Sequence, residues 1–236
     1  MPFWFALILI STYLVYCCFA FGRTDKERRY WVMGLSGLCI IVALAIELPW
    51  HFQYPLATSV HPKRLLIIAD SITAGIGEKY TYPQKLEALT GIKIDNFAQA
   101  GATVKSAFIS QVPRLIKDND PEAWVLLEIG GNDMLENTPQ VEYREYLEKL
   151  LMAAQGNPIH PRTILMLELP IIPGCWSYGR TQRQLAQKYG VIFIPKRVLA
   201  GVILPEGNTI DGLHLSKVGH DRMADALRPW LGQSFK

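Results

Sequence analysis

Five short apolar runs alternate with stretches of helical periodicity over residues 63–236. A run of this kind is typical of a strand buried in a parallel sheet, and the helical stretch after it supplies the crossover to the next strand. The alternation therefore predicts an α/β domain, a flavodoxin-like three-layer sandwich with a five-stranded parallel sheet. The predicted strands are residues 65–69, 92–97, 124–129, 163–167 and 191–194, and the predicted helices are 82–89, 104–117, 141–155, 181–189 and 216–231.

The first fifty residues (1–50) predict two transmembrane helices arranged as a hairpin. Residues 3–22 carry no charge, and residues 31–50 carry only Glu47. Each run is about 20 residues long, which is enough for a helix to cross the hydrocarbon core of a bilayer. The chain enters the first run directly after Met1-Pro2, without the basic stretch that precedes the apolar core of a cleaved signal peptide. This entry favours retained spans.

The loop between the two runs sets the predicted orientation. Residues 23–29 contain four basic side chains, and short basic loops stay on the cytoplasmic side. We therefore expect a multi-pass protein of the cell membrane whose residues beyond position 50 lie on the extracytoplasmic side. Residues 51–62, which include two prolines, are predicted to be a linker. Fully extended, this linker reaches at most about 40 Å, so the domain at 63–236 stays near the bilayer.

Four polar or glycine-containing blocks follow the first three predicted strands and precede the last predicted helix. The carboxyl ends of parallel strands meet at one edge of a sheet, so residues from separate blocks converge there. Acyl transfer through serine needs a hydroxyl nucleophile, an imidazole base, a carboxylate that orients the imidazole, and hydrogen-bond donors for the oxyanion. Together the blocks contain each of these groups. They are Ala69-Asp70-Ser71-Ile72, Gln99-Ala100-Gly101, Gly130-Gly131-Asn132-Asp133 and Asp211-Gly212-Leu213-His214.

The hydroxyl, imidazole and carboxylate of these blocks predict a catalytic triad. Ser71 is the expected nucleophile, His214 the expected base and Asp211 the carboxylate, since a turn places residues three apart in contact. Two rivals stay open. His220 is the alternative base, although a histidine inside the predicted last helix is expected at the surface. Cys175 is the alternative nucleophile, although it is expected to be an ordinary loop or core thiol.

The remaining polar residues of the blocks predict an oxyanion hole and its support. The expected donors are the backbone N–H groups of Ser71 and Gly101 and the side-chain amide of Asn132. Asp70 and Asp133 are expected to accept hydrogen bonds from nearby backbone and hold the loops. Each of these residue types is also common in turns, so the order and spacing of the blocks carry the prediction.

The order of the blocks makes residues 63–231 similar to the SGNH hydrolases of the GDSL family, in particular to their compact bacterial thioesterase and lysophospholipase branch. The family's nucleophile block reads Gly-Asp-Ser-Leu, whereas this chain has Ala69 and Ile72 at the first and last positions. The other blocks match. The four residues after which the family is named correspond to Ser71, Gly101, Asn132 and His214.

The resemblance implies a serine esterase that hydrolyses carboxylic esters or thioesters. Together with the predicted anchor, it favours lipid acyl esters as substrates. A deacetylase or an O-acyltransferase acting on cell-wall or exported polysaccharide stays open as an alternative. So does a catalytically silent membrane scaffold, which only Ala69 and Ile72 support. Residues 171–178 either line an acyl pocket or cover the core, and the sequence favours neither interpretation.

Composition and spacing argue against other classes of partner. The net charge is only +3 and the basic residues form no stripe with interleaved aromatics, so nucleic-acid binding is not expected. The histidines and carboxylates lack metal-ligand spacing, so no metal site is predicted, and the resemblance implies no cofactor. The expected partners are an acyl ester substrate, either a lipid or an acetylated glycan, and the lipid bilayer. The sequence does not predict an oligomeric state.

Overall fold

The structure is a computed structural model that describes residue 13 and residues 26–55, 61–118, 120–170 and 174–232. The chain forms two compact units, residues 1–53 and 54–236. In the first unit, helix α1 spans Lys26–His51 and contains Pro49 near its end. The predicted span at residues 31–50 lies within α1, and the one at residues 3–22 lies outside the described residues apart from Tyr13. None of the helices among the described residues combines the length and the apolar character needed to cross a membrane, so the structure does not show the span predicted at residues 31–50.

Five parallel strands form the single sheet described in the second unit, in the order β2-β1-β3-β4-β5. They are β1 Arg64–Ala69, β2 Lys93–Asn96, β3 Trp124–Glu128, β4 Ile164–Leu167 and β5 Ile192–Ile194. The predicted α/β fold with five parallel strands is therefore confirmed. The direction of strand addition reverses between β1 and β3, and open α/β sheets bind ligands beyond the carboxyl ends of their strands at such a point.

Helices follow each strand and form two groups. They are α2 Ser71–Ala74, α3 Tyr82–Thr90, α4 Val104–Ser110, α5 Val112–Ile116, α6 Gly131–Leu135, α7 Gln140–Gln155, α8 Trp176–Lys188, α9 Lys196–Ile203 and α10 Lys217–Leu227, with a 3-10 turn at Arg228–Leu231. Helix α7 packs against α4 and α8, whereas α10 packs against α3 and α9. The central strands β1 and β3 are almost wholly buried between these layers, and β2 at the edge is exposed at both ends.

Two predicted helices are shorter than the periodicity suggested. The stretch at 104–117 breaks at Gln111, because Pro113 falls in the first turn of α5 and cannot donate a backbone hydrogen bond. The last helix ends at Leu227, and Pro229 lies in the 3-10 turn that follows. In contrast, α8 begins five residues before its predicted start at Thr181.

Candidate active site

Ser71 is held at the sharp junction between β1 and the short helix α2. Asp70 caps this helix, since its Oδ1 accepts a hydrogen bond of 3.0 Å from the N–H of Ile72. Helix α2 ends at Gly75, whose φ of 77° is left-handed and whose Cβ, if present, would collide with the side chain of Thr81. The Asp70 cap at the start of α2 and Gly75 after its end therefore hold Ser71 at the carboxyl end of β1.

His214 lies in a loop that is closed by hydrogen bonds from its own backbone N–H groups. The Asp211 Oδ1 accepts hydrogen bonds from the N–H groups of Leu213 at 3.0 Å and His214 at 2.8 Å. The N–H of Ile210 donates to the His214 carbonyl at 2.9 Å. These bonds fix the carboxylate and the imidazole relative to each other before any contact with Ser71.

The structure brings the side chains of Ser71, His214 and Asp211 together. The His214 Nδ1 lies 2.6 Å from the Asp211 Oδ2, and the His214 Nε2 lies 3.0 Å from the Ser71 Oγ. The hydrogen bonds from His214 and from the two backbone N–H groups lower the pKa of Asp211 to about 2. Asp211 is therefore ionised at neutral pH and favours the proton on Nδ1, which leaves Nε2 to accept the hydroxyl proton of Ser71.

Two further residues predicted for the oxyanion hole lie in the loops after β2 and β3. Gly101 has a left-handed φ of 73°, and Asn132 is the second residue of α6. The Asn132 Nδ2 donates to the Ala102 carbonyl at 2.9 Å and lies 3.5 Å from the Asp70 Oδ2. The second contact is long for a hydrogen bond, so this N–H of the amide can turn from the Asp70 carboxylate to a ligand. The N–H groups of Ser71 and Gly101 donate no hydrogen bond within the described part of the chain.

The two aspartates beside these residues tie the loops together from inside the domain. The Asp133 Oδ2 accepts a hydrogen bond of 2.9 Å from the N–H of Val104, the first residue of α4. This bond links the loop after β3 to the loop after β2. Burial raises the pKa of Asp133, and it raises the pKa of Asp70 to about 6.

His220, the rival base, is not the surface residue that the sequence predicted. It is only 1% exposed, because it sits on the face of α10 that packs against α3. Its Nδ1 accepts a hydrogen bond of 3.2 Å from the N–H of Tyr82, and the two rings stack. Burial lowers the pKa of His220 below its ordinary value.

Cys175, the rival nucleophile, is half-buried just before α8, and its Sγ lies 4.0 Å from the Met134 carbonyl. Of the segment 171–178, residues 171–173 lie outside the described residues. Within the described residues, no group of three or more histidine, cysteine, aspartate or glutamate side chains is placed to hold a metal ion.

Sequence reasoning missed three buried polar residues that meet behind Ser71. Thr73, Tyr82 and Glu128 are wholly buried. The Thr73 Oγ1 donates to the Glu128 Oε2 at 2.9 Å and lies 2.7 Å from the Tyr82 OH. One signal was present in the sequence, because Glu128 is the sole charged residue of the apolar run 124–129.

Comparison with known proteins places this site in a family. Residues 70–222 match the sequence model of the GDSL-like Lipase/Acylhydrolase family. The Escherichia coli K12 protein named thioesterase 1/protease 1/lysophospholipase L1 is 26% identical over 192 residues, which cover 73% of this chain and 83% of that protein.

Solved structures show the same fold. The esterase EstA from Pseudoalteromonas, in a structure inhibited by monoethylphosphonate, superposes with a TM-score of 0.62 and 19% identity. The match covers 72% of this chain and all of that one. An acetyl-xylooligosaccharide esterase from Geobacillus superposes with a TM-score of 0.59 and 21% identity, over 73% of this chain and 95% of that one.

Proposed function

The chain belongs to the GDSL-like lipase/acylhydrolase family and is an ester hydrolase, and we propose that it is a membrane-anchored serine esterase that cleaves acyl esters or thioesters of lipids. One observation carries the catalytic part of the proposal. It is the continuous hydrogen-bond chain from the Ser71 hydroxyl through His214 to Asp211. A nucleophile, a base and a group that orients the base are arranged in the order that acyl transfer requires.

In the first step, the Ser71 Oγ attacks the carbonyl carbon of the ester. The His214 Nε2, at 3.0 Å, takes the hydroxyl proton, and the ionised Asp211 stabilises the imidazolium that forms. The carbonyl oxygen becomes an oxyanion. The N–H groups of Ser71 and Gly101 and an N–H of the Asn132 amide are its donors, and each is fixed by backbone or by a hydrogen bond before the substrate arrives.

In the second step, the tetrahedral intermediate collapses, and His214 passes its proton to the departing alcohol or thiol. This leaves an acyl group on the Ser71 Oγ. A water molecule that gives its proton to His214 then attacks the acyl carbon, and the same donors stabilise the second oxyanion. Release of the carboxylic acid returns the proton from His214 to Ser71, so the cycle needs no cofactor.

The lipid part of the proposal rests on two supports. The Escherichia coli relative carries the names thioesterase and lysophospholipase. In addition, Ile210 and Leu213, on the His214 loop, are exposed apolar side chains, and so is Ile76 in the loop after α2. A hydrogen bond links the two loop regions, since the N–H of Lys217 donates to the Glu78 Oε1 at 3.2 Å. An apolar rim beside the reacting groups suits an acyl chain.

A chain-length series tests the catalytic and lipid parts together. Detergent-purified full-length protein is assayed on p-nitrophenyl esters from acetate to palmitate, with Ser71→Ala as the blank and Ser36→Ala, in α1, as the matched control. We expect turnover that depends on Ser71, is unchanged in Ser36→Ala and rises with acyl length. Turnover independent of Ser71 contradicts the esterase site. A preference for acetate contradicts the lipid assignment and favours deacetylation of a glycan, the activity named for the Geobacillus structure.

The anchor is supported by the apolar composition of residues 3–22 and 31–50. Membranes from cells expressing the full chain are washed with alkaline carbonate, which strips peripheral proteins. We expect the protein to stay in the membrane pellet and residues 63–236 to be digested by protease added outside the cell. Release into the supernatant contradicts the anchor, and protection from the protease contradicts the orientation.

A further inference from the structure

Two carboxyl groups lie side by side behind the Ser71 segment. Glu128 is the last residue of β3 and is paired in register with Ala69 of β1. The N–H of Asp70 donates to the Glu128 carbonyl at 3.1 Å, and the two side-chain carboxyl groups interact directly, each shifting the pKa of the other. Glu128 is 0% exposed and Asp70 is 3% exposed. A hydrogen bond between two carboxyl groups requires a proton on one of them.

The charges around the pair do not allow both groups to ionise. Among the described residues, no lysine or arginine forms an ion pair with either side chain. The groups that act on the pair from neighbouring elements are Tyr82 of α3, Asp133 of α6 and His214. Two buried carboxylates in contact, with no fixed cation beside them, share one proton.

The hydrogen bonds assign that proton to Glu128. Asp70 accepts the N–H of Ile72 at 3.0 Å and lies 3.5 Å from the Asn132 amide, and both contacts favour a carboxylate. The side-chain donor to Glu128 is the hydroxyl of Thr73, which bonds Oε2. Its Oε1 has no donor to accept from within the described residues and is the atom left to carry the proton. Burial raises the pKa of Glu128 well above its usual range, whereas the pKa of Asp70 is about 6.

We infer that Glu128 is a positioning residue of the reaction: a protonated, buried acid that donates a hydrogen bond to Asp70 and so fixes the carboxylate that joins the Ser71 helix to Asn132. This rests on the proposed function of Ser71 and Asn132. Asp70 contacts both the start of α2 and the Asn132 amide. Loss of its donor, or a second negative charge on Glu128, turns that carboxylate and displaces the nucleophile relative to the oxyanion donors.

Three variants distinguish the effect of the Glu128 proton from the effect of the shape and hydrogen bonds of its side chain. Glutamine keeps an oxygen for Thr73 and an N–H for Asp70 but cannot ionise, so Glu128→Gln preserves the geometry and removes the titration. Glu128→Leu removes both bonds, and Thr73→Val removes the donor to Oε2 together with the contact to the Tyr82 hydroxyl. Glu122→Gln is the matched control, because Glu122 is exposed.

The first measurement is kcat and KM against pH. We expect Glu128→Leu to lower kcat about 10²-fold with little change in KM, because a small misplacement of the reacting groups costs that much. Glu128→Gln should recover most of the loss, and Thr73→Val should fall between them. At alkaline pH, wild type should lose activity as Glu128 ionises, and Glu128→Gln should hold its activity to higher pH. Wild-type kcat in Glu128→Leu, or no recovery in Glu128→Gln, overturns the inference.

The second measurement does not depend on activity. Infrared difference spectra at neutral pH between wild type and Glu128→Gln should show the carbonyl stretch of a protonated carboxylic acid in wild type alone. The Glu122→Gln difference should show none. Absence of that band from the Glu128 difference overturns the inference even where Glu128→Leu fails to fold. Ser71→Ala assayed in parallel keeps the two proposals distinct, since turnover independent of Ser71 defeats the proposed function while the infrared result stands by itself.

Discussion

At the amino end of the sheet buried and half-buried arginine and aspartate side chains pair with each other. At the carboxyl ends of β1 and β3, in contrast, buried carboxyl groups have no arginine or lysine partner among the described residues. Arg64 at the start of β1 binds Asp95 at 2.6 Å and Asp118 at 2.5 Å. Arg162, just before β4, donates to the backbone carbonyls of Asp118 and Asp120 at 2.5 and 2.9 Å. Each charge there is met by an opposite charge or a carbonyl oxygen.

Among the described residues, the buried carboxyl groups without a cationic partner are those that surround Ser71. Asp70, Glu128 and Asp133 all have their pKa raised, with burial as the first cause. One strand further along, Glu168 is equally buried but binds Arg183 at 2.6 Å. Uncompensated burial costs stability, and residues with strongly shifted pKa values cluster at functional sites. The contrast indicates that the amino end of the sheet stabilises the fold, while the carboxyl ends of β1 and β3 give up stability to hold the groups of the proposed active site.

Replacing His214 tests the contrast most strongly. His214→Ala removes the base that receives the Ser71 proton, and we expect kcat to fall about 10⁴- to 10⁶-fold, the scale on which loss of a triad member acts. His160→Ala is the control, because His160 is an exposed residue in the loop before β4 at the opposite end. Esterase assays on both purified variants measure the effect. Equal activity of the two variants would remove the functional distinction between the ends of the sheet.

Asparagine offers the second matched pair across the sheet. Asn132→Ala removes one oxyanion donor, and we expect kcat to fall about 10²- to 10³-fold while KM changes little. The protein should stay folded, since the substitution loses only the hydrogen bond to Ala102 and the long contact to Asp70. Asn157 lies before β4, exposed, and accepts only the N–H of Ile159. Steady-state kinetics of Asn157→Ala should match wild type, and near-normal kcat in Asn132→Ala would sink its assignment to the oxyanion hole.

Arg162 tests the other half of the contrast, in which the amino end supports stability and not turnover. Arg162→Met leaves the half-buried carbonyls of Asp118 and Asp120 without their donor, and we expect the free energy of unfolding to fall by about 2 kcal/mol. The kcat of the folded variant should equal that of wild type. Chemical denaturation and kinetics on the same preparation measure both. Arg180→Met, at an exposed position of α8, should change neither quantity. A loss of kcat in folded Arg162→Met contradicts the division of labour.

The sequence predicted the strands and the positions of the candidate site residues because both show a pattern within a few neighbouring residues. A parallel strand buried on both faces is a contiguous apolar run, as at residues 65–69, and the carboxyl edge is wherever such a run ends in polar residues. Ser71, Gly101 and Asn132 were therefore predicted near one edge from their places after strands. The structure puts Gly101 in the loop after β2, and Ser71 and Asn132 at the starts of the short helices that follow β1 and β3.

The features that could not be predicted depend on partners distant in sequence. Helix α2 has four residues, too few for a 3.6-residue period to register. Gln111, at the break between α4 and α5, bonds both the N–H and the carbonyl of Ala69 through its side-chain amide, 42 residues away. Likewise, nothing local states that Glu128 faces Thr73 and Asp70. Periodicity records which face is buried, but not which polar groups meet inside.

His220 is a buried base without an ionic partner among the described residues, and it extends the comparison of paired and unpaired buried groups beyond the carboxyl groups. Its replacement gives the smallest effect that we predict. Its pKa lies below that of an unfolded histidine, because burial outweighs the attraction of Glu78 and Asp221. Between the two pKa values the unfolded chain binds more protons, so the free energy of unfolding gains a term that is fully present above about pH 6.5 and is lost as pH falls. That term changes by at most about 1.4 kcal/mol per pH unit. Asp70 acts in the opposite sense over part of this range, since its raised pKa favours the folded state at low pH.

The difference between wild type and His220→Asn isolates the histidine from Asp70. Asparagine presents an oxygen where Nδ1 accepts the N–H of Tyr82, so the native hydrogen bond has a substitute and only the titration disappears. We expect the stability difference between the two proteins, measured by denaturation from pH 8 to about pH 5, to shift in favour of the variant as pH falls below about 6.5. The His160→Asn difference should stay flat, because that side chain is exposed. A flat His220 difference means that the buried imidazole titrates alike in the folded and unfolded chain, and the contrast between paired and unpaired burial then holds for the carboxyl groups alone.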